Sequence, residues 1–166
     1  MNKVFNLSDK AIESLDIGGF LVSGEADSPN LMTIGWGSIG IMWGKPIITV
    51  PVRFSRYSHD LMDKQSEFTV CFPKPGELKK EIAFCGSKSG REYNKAEETG
   101  LTIVESKAVK IGNVEECSLI FECRIVAKMD LTAESFLDKE LLEKWYPERN
   151  LHTIYYGEIL NCYERK

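Results

Sequence analysis

Asn30 to Asp60 reads NLMTIGWGSIGIMWGKPIITVPVRFSRYSHD. Two tryptophans, four glycines and two apolar runs of strand character fill this block, which ends in the cations Arg53 and Arg56, with Ser55 between them and Tyr57 after. Physically this is a flat apolar wall followed by an anion site. A planar, aromatic, phosphorylated molecule requires both.

Between Gly35 and Gly40 the letters satisfy GxGxxG. That fingerprint binds a dinucleotide only where its last glycine opens a helix whose N-terminus receives the pyrophosphate. Here Gly40 runs into IMWGKP, in which Gly44 and Pro46 leave no room for a helix. The spacing therefore carries little weight. PIITVPV, rich in β-branched residues, reads as a strand, and Pro51, with no N–H for a ladder, marks an edge or bulge within it. RFSRYS is the next turn, and Tyr57 to Lys64 suggest a short helix starting at Ser55 or Ser58, beside Arg53 and Arg56. Backbone N–H groups next to two guanidinium groups favour a phosphate.

Upstream, Ser8 is placed to cap a short helix through Leu15, punctuated by Gly18 and Gly19. FLVSGEA reads as a first strand and SPN as the turn into LMTIGW. Downstream, EFTVCFP is a strand closed by the turn PKPG. ELKKEIAFCG gives one or two helical turns stopped by Gly86, SKSGREYNK a loop, and LTIVES another strand. Cys117, Leu119, Phe121, Cys123 and Ile125 alternate as one face of a half-buried antiparallel strand. Ala133 to Tyr146 carry Phe136, Leu137, Leu141, Leu142 and Trp145 at helical spacing, Pro147 ends that stretch, and HTIYYGEILNCYE returns to strand to close the sheet. Six or seven strands with few short helices in no βαβ order favour a mainly β, antiparallel barrel.

The 166 residues suit one domain, residues 1–166, with a full core. A net charge of −4 leaves no basic footprint for nucleic acid. The N-terminal stretch interrupts its apolar residues with charges, and no run is long enough to span a bilayer, so a cytoplasmic protein with no membrane partner is expected. Five cysteines without a CxxC pair, and only His59 and His152, argue against a disulfide framework or a metal centre. Along a strand Cys117 and Cys123 stand about 20 Å apart, too far to share an ion, and read as packing residues.

RFSRY and CGSKSGREYNK each place cations and hydroxyls inside a turn, and charge-assisted bonds converging on one dianion need that composition. Two solvated basic loops is the plainer reading of either alone. Met32, Trp36, Met42 and Trp43 suit a ring-binding wall, although Met and Trp in a strand-rich protein more often form ordinary core. No Ser, His and Asp arrangement reads as a triad. Cys85 has cationic neighbours of the kind that lower a thiol's pKa.

NLMTIGWGSIGIMWGKPIITVPVRFSRYS, FTVCFP, CGSKSGREYNK and YYGEI, in that order, closely resemble the flavin reductase-like, FMN-binding split-barrel family, especially its flavoredoxin-like branch; the likeness runs from about Gly19 to Glu158. The resemblance implies a split β-barrel that pairs into a homodimer with FMN near the subunit interface. It implies that Met32, Thr33, Ile34, Gly35 and Trp36 lie along the isoalloxazine, and that Val52, Arg53, Ser55, Arg56 and Tyr57 reach the ribityl chain and phosphate. Cys85, Gly86, Ser87, Ser89, Gly90 and Lys95 belong to the loop that closes over the cofactor. Pro51 departs from the family pattern by removing one backbone donor beside the site.

With FMN bound, the chemistry belongs to the flavin. The leading expectation is an NAD(P)H-dependent flavin reductase, in which NADH or NADPH stacks on the exposed ring face, passes hydride to N5, and electrons go on to an acceptor the sequence does not name. The alternative is a flavoredoxin-like FMN electron carrier serving a protein partner. A third reading is a split barrel kept as a binding module without cofactor.

Overall fold

The computed structural model describes residues 2–165. Helix α1 (Asn2–Ile17) leads into strands β1 (Gly19–Glu25), β2 (Ser28–Ile34), β3 (Ser38–Met42) and β4 (Lys45–Arg53). Then come α2 (Tyr57–Met62), β5 (Glu67–Phe72), α3 (Lys79–Ser87) and α4 (Lys95–Thr99), followed by the short pair β6 (Ile103–Val104) and β7 (Asn113–Val114). The long β8 (Leu119–Asp130), α5 (Lys139–Trp145) and β9 (His152–Glu164) complete the chain.

Seven strands form one antiparallel sheet in the order β2-β1-β5-β8-β9-β4-β3. Its two edge strands, β2 and β3, are consecutive in the chain and joined by residues 35–37. Laid flat, the edges of seven strands stand about 29 Å apart, whereas the step from Ile34 to Ser38 reaches at most about 14 Å. The sheet therefore curls into an open barrel. One core cluster confirms the curl, taking Leu21 from β1, Met32 from β2, Val50 from β4, Phe68 from β5, Phe121 from β8 and Tyr155 from β9, with Ala11 and Leu15 of α1.

Prolines sit where ladders leave room for them. Pro29 is on the edge strand β2, and Pro51 lies beyond Thr49, the last β4 residue that β3 pairs. Pro51 thus marks an edge, as its missing N–H requires.

Several elements depart from expectation. Helix α1 begins before Ser8, because Val4, Ala11 and Leu15 already form the buried stripe that Leu7 packs against. SPN is not a turn but the start of β2; residues 26 and 27 turn instead, so Ser28 pairs with Glu25. Gly86 lies inside α3, which ends at Ser87, and LTIVES contributes only the two residues of β6.

β8 is buried on both faces in its first half rather than one. Leu119, Phe121 and Cys123 face the barrel core, while Ile120 packs outward with Phe20, Val22, Cys71 and Cys85 under α3. Cys117 precedes the strand and belongs to that outer cluster. On the same outer face Glu122 is fully buried, its carboxylate accepting from the backbone N–H groups of Lys107 at 3.0 Å and Ala108 at 2.6 Å. A buried carboxylate is tolerable only with such partners.

The expected helix from Ala133 to Tyr146 is broken. A 3₁₀ turn, Ala133–Ser135, precedes α5, and Asp138 caps α5 by accepting from Glu140 and Leu141 N–H. Leu142, Tyr146 and Leu151 form a small third core here with Phe136, while Leu137, Leu141 and Trp145 remain exposed. β9 stands between β8 and β4 and ties the two parts of the sheet together.

Candidate functional site

At the open seam of the barrel, where β2 and β4 face one another without pairing, lies a groove of two compartments, each about 220 Å³. The first is lined by Met32, Thr33, Ile34, Gly35, Trp36, Pro51, Arg53, Arg56 and His152. The second shares Met32, Arg53 and Arg56 with it and adds Ser55, Tyr57, Ser87, Lys88, Ser89, Gly90 and Lys95, among others. One end is thus a shelf with aromatic Trp36 and His152; the other is cationic. Among the described residues no carboxylate lines either compartment.

The two basic bends, distant in the chain, meet here. Arg56 donates to the Gly86 carbonyl at 2.8 Å, and Arg91 donates to the Ser55 carbonyl at 3.2 Å and pairs with Asp60 at 2.6 Å. Gly90 is required at the crossing, because a Cβ there would stand 1.9 Å from Asn30 Oδ1 and 2.9 Å from the Tyr57 ring. Arg53 is anchored from the other side, donating to the carbonyls of Asn150 and Trp145 with its guanidinium 4.9 Å from the Tyr146 ring centroid.

Lys95 is the deepest cation, 5% exposed, with Nζ donating to the carbonyls of Leu31 at 2.8 Å and Cys85 at 2.9 Å. Among the described residues no carboxylate pairs with it in an ion pair. Burial, with Arg56 nearby, pushes its pKa down to about 8. Asn30 Oδ1, in the wall of the second compartment, is a buried acceptor without a partner among the described residues. An uncompensated buried cation and an orphaned amide oxygen are each costly unless something occupies the space beside them.

The hydroxyls differ in what they have left to give. Ser55 Oγ accepts from Asn150 Nδ2 at 2.7 Å and Ser89 Oγ from Arg91 N–H at 3.2 Å, so both retain a proton to donate. Ser87 donates its own to the Ala83 carbonyl at 2.8 Å.

Of the residues expected at the site, Met32, Thr33, Ile34, Gly35, Trp36, Arg53, Ser55, Arg56, Tyr57, Ser87, Ser89, Gly90 and Lys95 line the groove. Gly86 stands behind it as the Arg56 acceptor. The side chains of Val52 and Cys85 do not reach it: Val52 is packed in the barrel core and Cys85 in the outer cluster. Burial raises the Cys85 thiol to about 11 despite Lys95, so its cationic neighbours do not activate it. Met42 and Trp43 are exposed at the β3–β4 turn, away from the groove. His152 and Asn150 were missed; β9 brings His152 opposite Arg53 across the ladder, a juxtaposition that only register reveals.

The chain matches the family described as flavin reductase like domain over residues 18–166. It belongs to the flavin reductase-like family. An uncharacterized protein of Archaeoglobus fulgidus is 32% identical over 142 residues, covering 86% of this chain and 69% of that one. Among solved structures, the flavoredoxin of Methanosarcina acetivorans superposes with a TM-score of 0.70 at 23% identity, over 90% of this chain and 68% of the other. An FMN-binding domain of a flavin reductases-like enzyme from Shewanella baltica gives 0.66 at 18%, over 95% and 74%. At these identities the structures speak for the fold, and the split β-barrel implied by the sequence resemblance is borne out.

Proposed function

We propose that this protein binds FMN in the seam groove and acts as an NAD(P)H-dependent flavin reductase. The observation that carries the reading is a single groove with an aromatic shelf at one end and Arg53, Arg56, Lys88 and Lys95, unopposed by any lining carboxylate, at the other. The residues present fit a phosphorylated flavin. Among the described residues Lys95 has no counter-charge and Asn30 Oδ1 no donor, which a phosphate and a hydroxylated chain supply respectively.

FMN, when bound, supplies hydride and electron transfer. The protein's own residues hold and orient: Met32 to Trp36 and His152 take the ring, Arg56, Lys95, Ser55 and Ser89 the phosphate end. Trp36 is 41% exposed, which leaves that end open to a nicotinamide. Stopped-flow mixing of FMN-loaded protein with NADH and with NADPH tests the reading, and rapid loss of flavin absorbance is the expected result.

A second reading, an FMN electron carrier for a protein partner, is favoured by one feature: Trp145, exposed on α5 as Leu141 is, meets the ring of the exposed Trp36 at 5.0 Å. No reduction at millimolar NADH or NADPH, with reduction by a protein donor, would select it. We further propose a cytoplasmic homodimer, consistent with the exposed Ile41, Met42 and Trp43 of the β3–β4 hairpin. Among the described residues no helix is long and apolar enough to cross a membrane.

A further inference from the structure

His152 is held unusually firmly for a histidine that lines a groove. Its Nδ1 lies 2.8 Å from Tyr146 Oη, its ring meets Tyr146 edge-on at 5.4 Å and Trp36 at 5.5 Å, and its backbone is paired with Arg53. Nε2 has no hydrogen-bond partner among the described residues and is not a buried orphan, so it meets the space of the compartment that His152 lines.

Proton bookkeeping assigns the tautomer. Tyr146 is 5% exposed, and the phenol's one hydrogen-bond partner among the described residues is His152 Nδ1. Were Nδ1 the donor, the phenolic proton would be left with no acceptor among the described residues, which a buried polar group tolerates poorly. With the phenol donating, both groups are satisfied. The charged groups facing the ring are Arg53 and Arg56, and these with burial hold His152 down to about 4, so the imidazole is neutral at any ordinary pH. Burial also keeps the Tyr146 phenol protonated.

We propose that Tyr146 is a positioning residue: by donating to Nδ1 it locks His152 in the Nε2–H tautomer and presents a single N–H donor to the ring end of the groove. The compartment then favours an occupant with a carbonyl oxygen or an unprotonated ring nitrogen at that point and disfavours one with an N–H there. Only the identity of that acceptor rests on the flavin reading; the tautomer belongs to the protein alone.

Long-range ¹H–¹⁵N NMR of the flavin-free protein tests this, with His59→Gln used to assign the two imidazoles. The expected spectrum shows His152 with a protonated Nε2 and a bare Nδ1 at pH 7. In Tyr146→Phe, which keeps the ring and its packing, the donor to Nδ1 is gone and both tautomers appear in the spectrum. A bare Nε2 in the wild type, or a Tyr146→Phe spectrum unchanged from wild type, would overturn the proposal. FMN titration of the wild type is a separate arm: failure to bind would remove the flavin reading and leave the tautomer result standing.

Discussion

Arg56 gives one guanidinium nitrogen to the Gly86 carbonyl and turns the rest of its donors to the groove. Arg56→Ala is expected to weaken FMN binding more than tenfold, about 1.5–3 kcal/mol for a charged hydrogen bond; unchanged affinity in a fluorescence titration would remove the residue from the site. Lys95 carries a pH signature. Its pKa of about 8 in the folded protein lies below the ordinary 10.5, so between those values the unfolded chain holds more protons, and stability of the ligand-free protein rises with pH through that window. A bound phosphate reverses the preference by favouring the charged amine. FMN affinity should therefore be level below pH 8 and fall roughly tenfold by pH 9, and Lys95→Met should flatten that dependence in titrations across pH 7 to 9.5. At this scale the cations and hydroxyls of the two bends were legible because turns that concentrate such groups announce an anion site. Val52 and Cys85 were grouped with them because a motif marks a stretch of chain and not a face: Val52 alternates with Arg53 along β4 and points into the barrel, and Cys85 lies on the side of α3 turned to the outer cluster. Tyr146 and His152 carried no local signal at all.

Strands and helices obey constraints that single residues do not express. Gly157, within YYGEI, lies in β9 where a Cβ would stand 2.4 Å from the buried Phe68 ring and 3.1 Å from Cys123 Cβ. Gly157→Ala should cost about 1–3 kcal/mol by overpacking, measured as a lower denaturation midpoint in urea. The β3–β4 hairpin turns through Trp43 and Gly44, with φ of 53° and 69°, a left-handed pair that favours Asn or Gly over Trp. Trp43 is kept there although 62% exposed. If its role is to meet a second copy, the double substitution Ile41→Asp with Trp43→Asp should convert a sedimenting dimer to a monomer. Strand existence was readable from alternation and β-branching. The burial of β8 on both faces was not, because Cys, Leu and Phe on alternate positions look the same whether the remaining face meets water or a layer of helices. The break before α5 was readable in principle from Asp138, a capping residue inside an apolar pattern.

For the whole molecule, the antiparallel barrel was legible from strand count and the lack of βαβ order, and its family from four motifs in series. What no local pattern contained was the strand order, which puts β9 beside β4 and brings residue 152 to residue 53. The reductase reading stands or falls on the stopped-flow experiment, with NADH and NADPH compared at equal concentration. Loss of flavin absorbance with either donor supports it, and inertness to both leaves the carrier.

The seam that separates β2 from β4 has a mechanical side. The wall there lacks the backbone ladder that ties each consecutive pair in the strand order, so a guest touching both Thr33 and Arg53 acts as a removable staple across it. Filling the groove should slow amide exchange along both margins, far from any atom the guest contacts, and raise the melting temperature in proportion to the logarithm of guest concentration. Emptying it should let the cylinder breathe at that one line before any other part of its wall loosens.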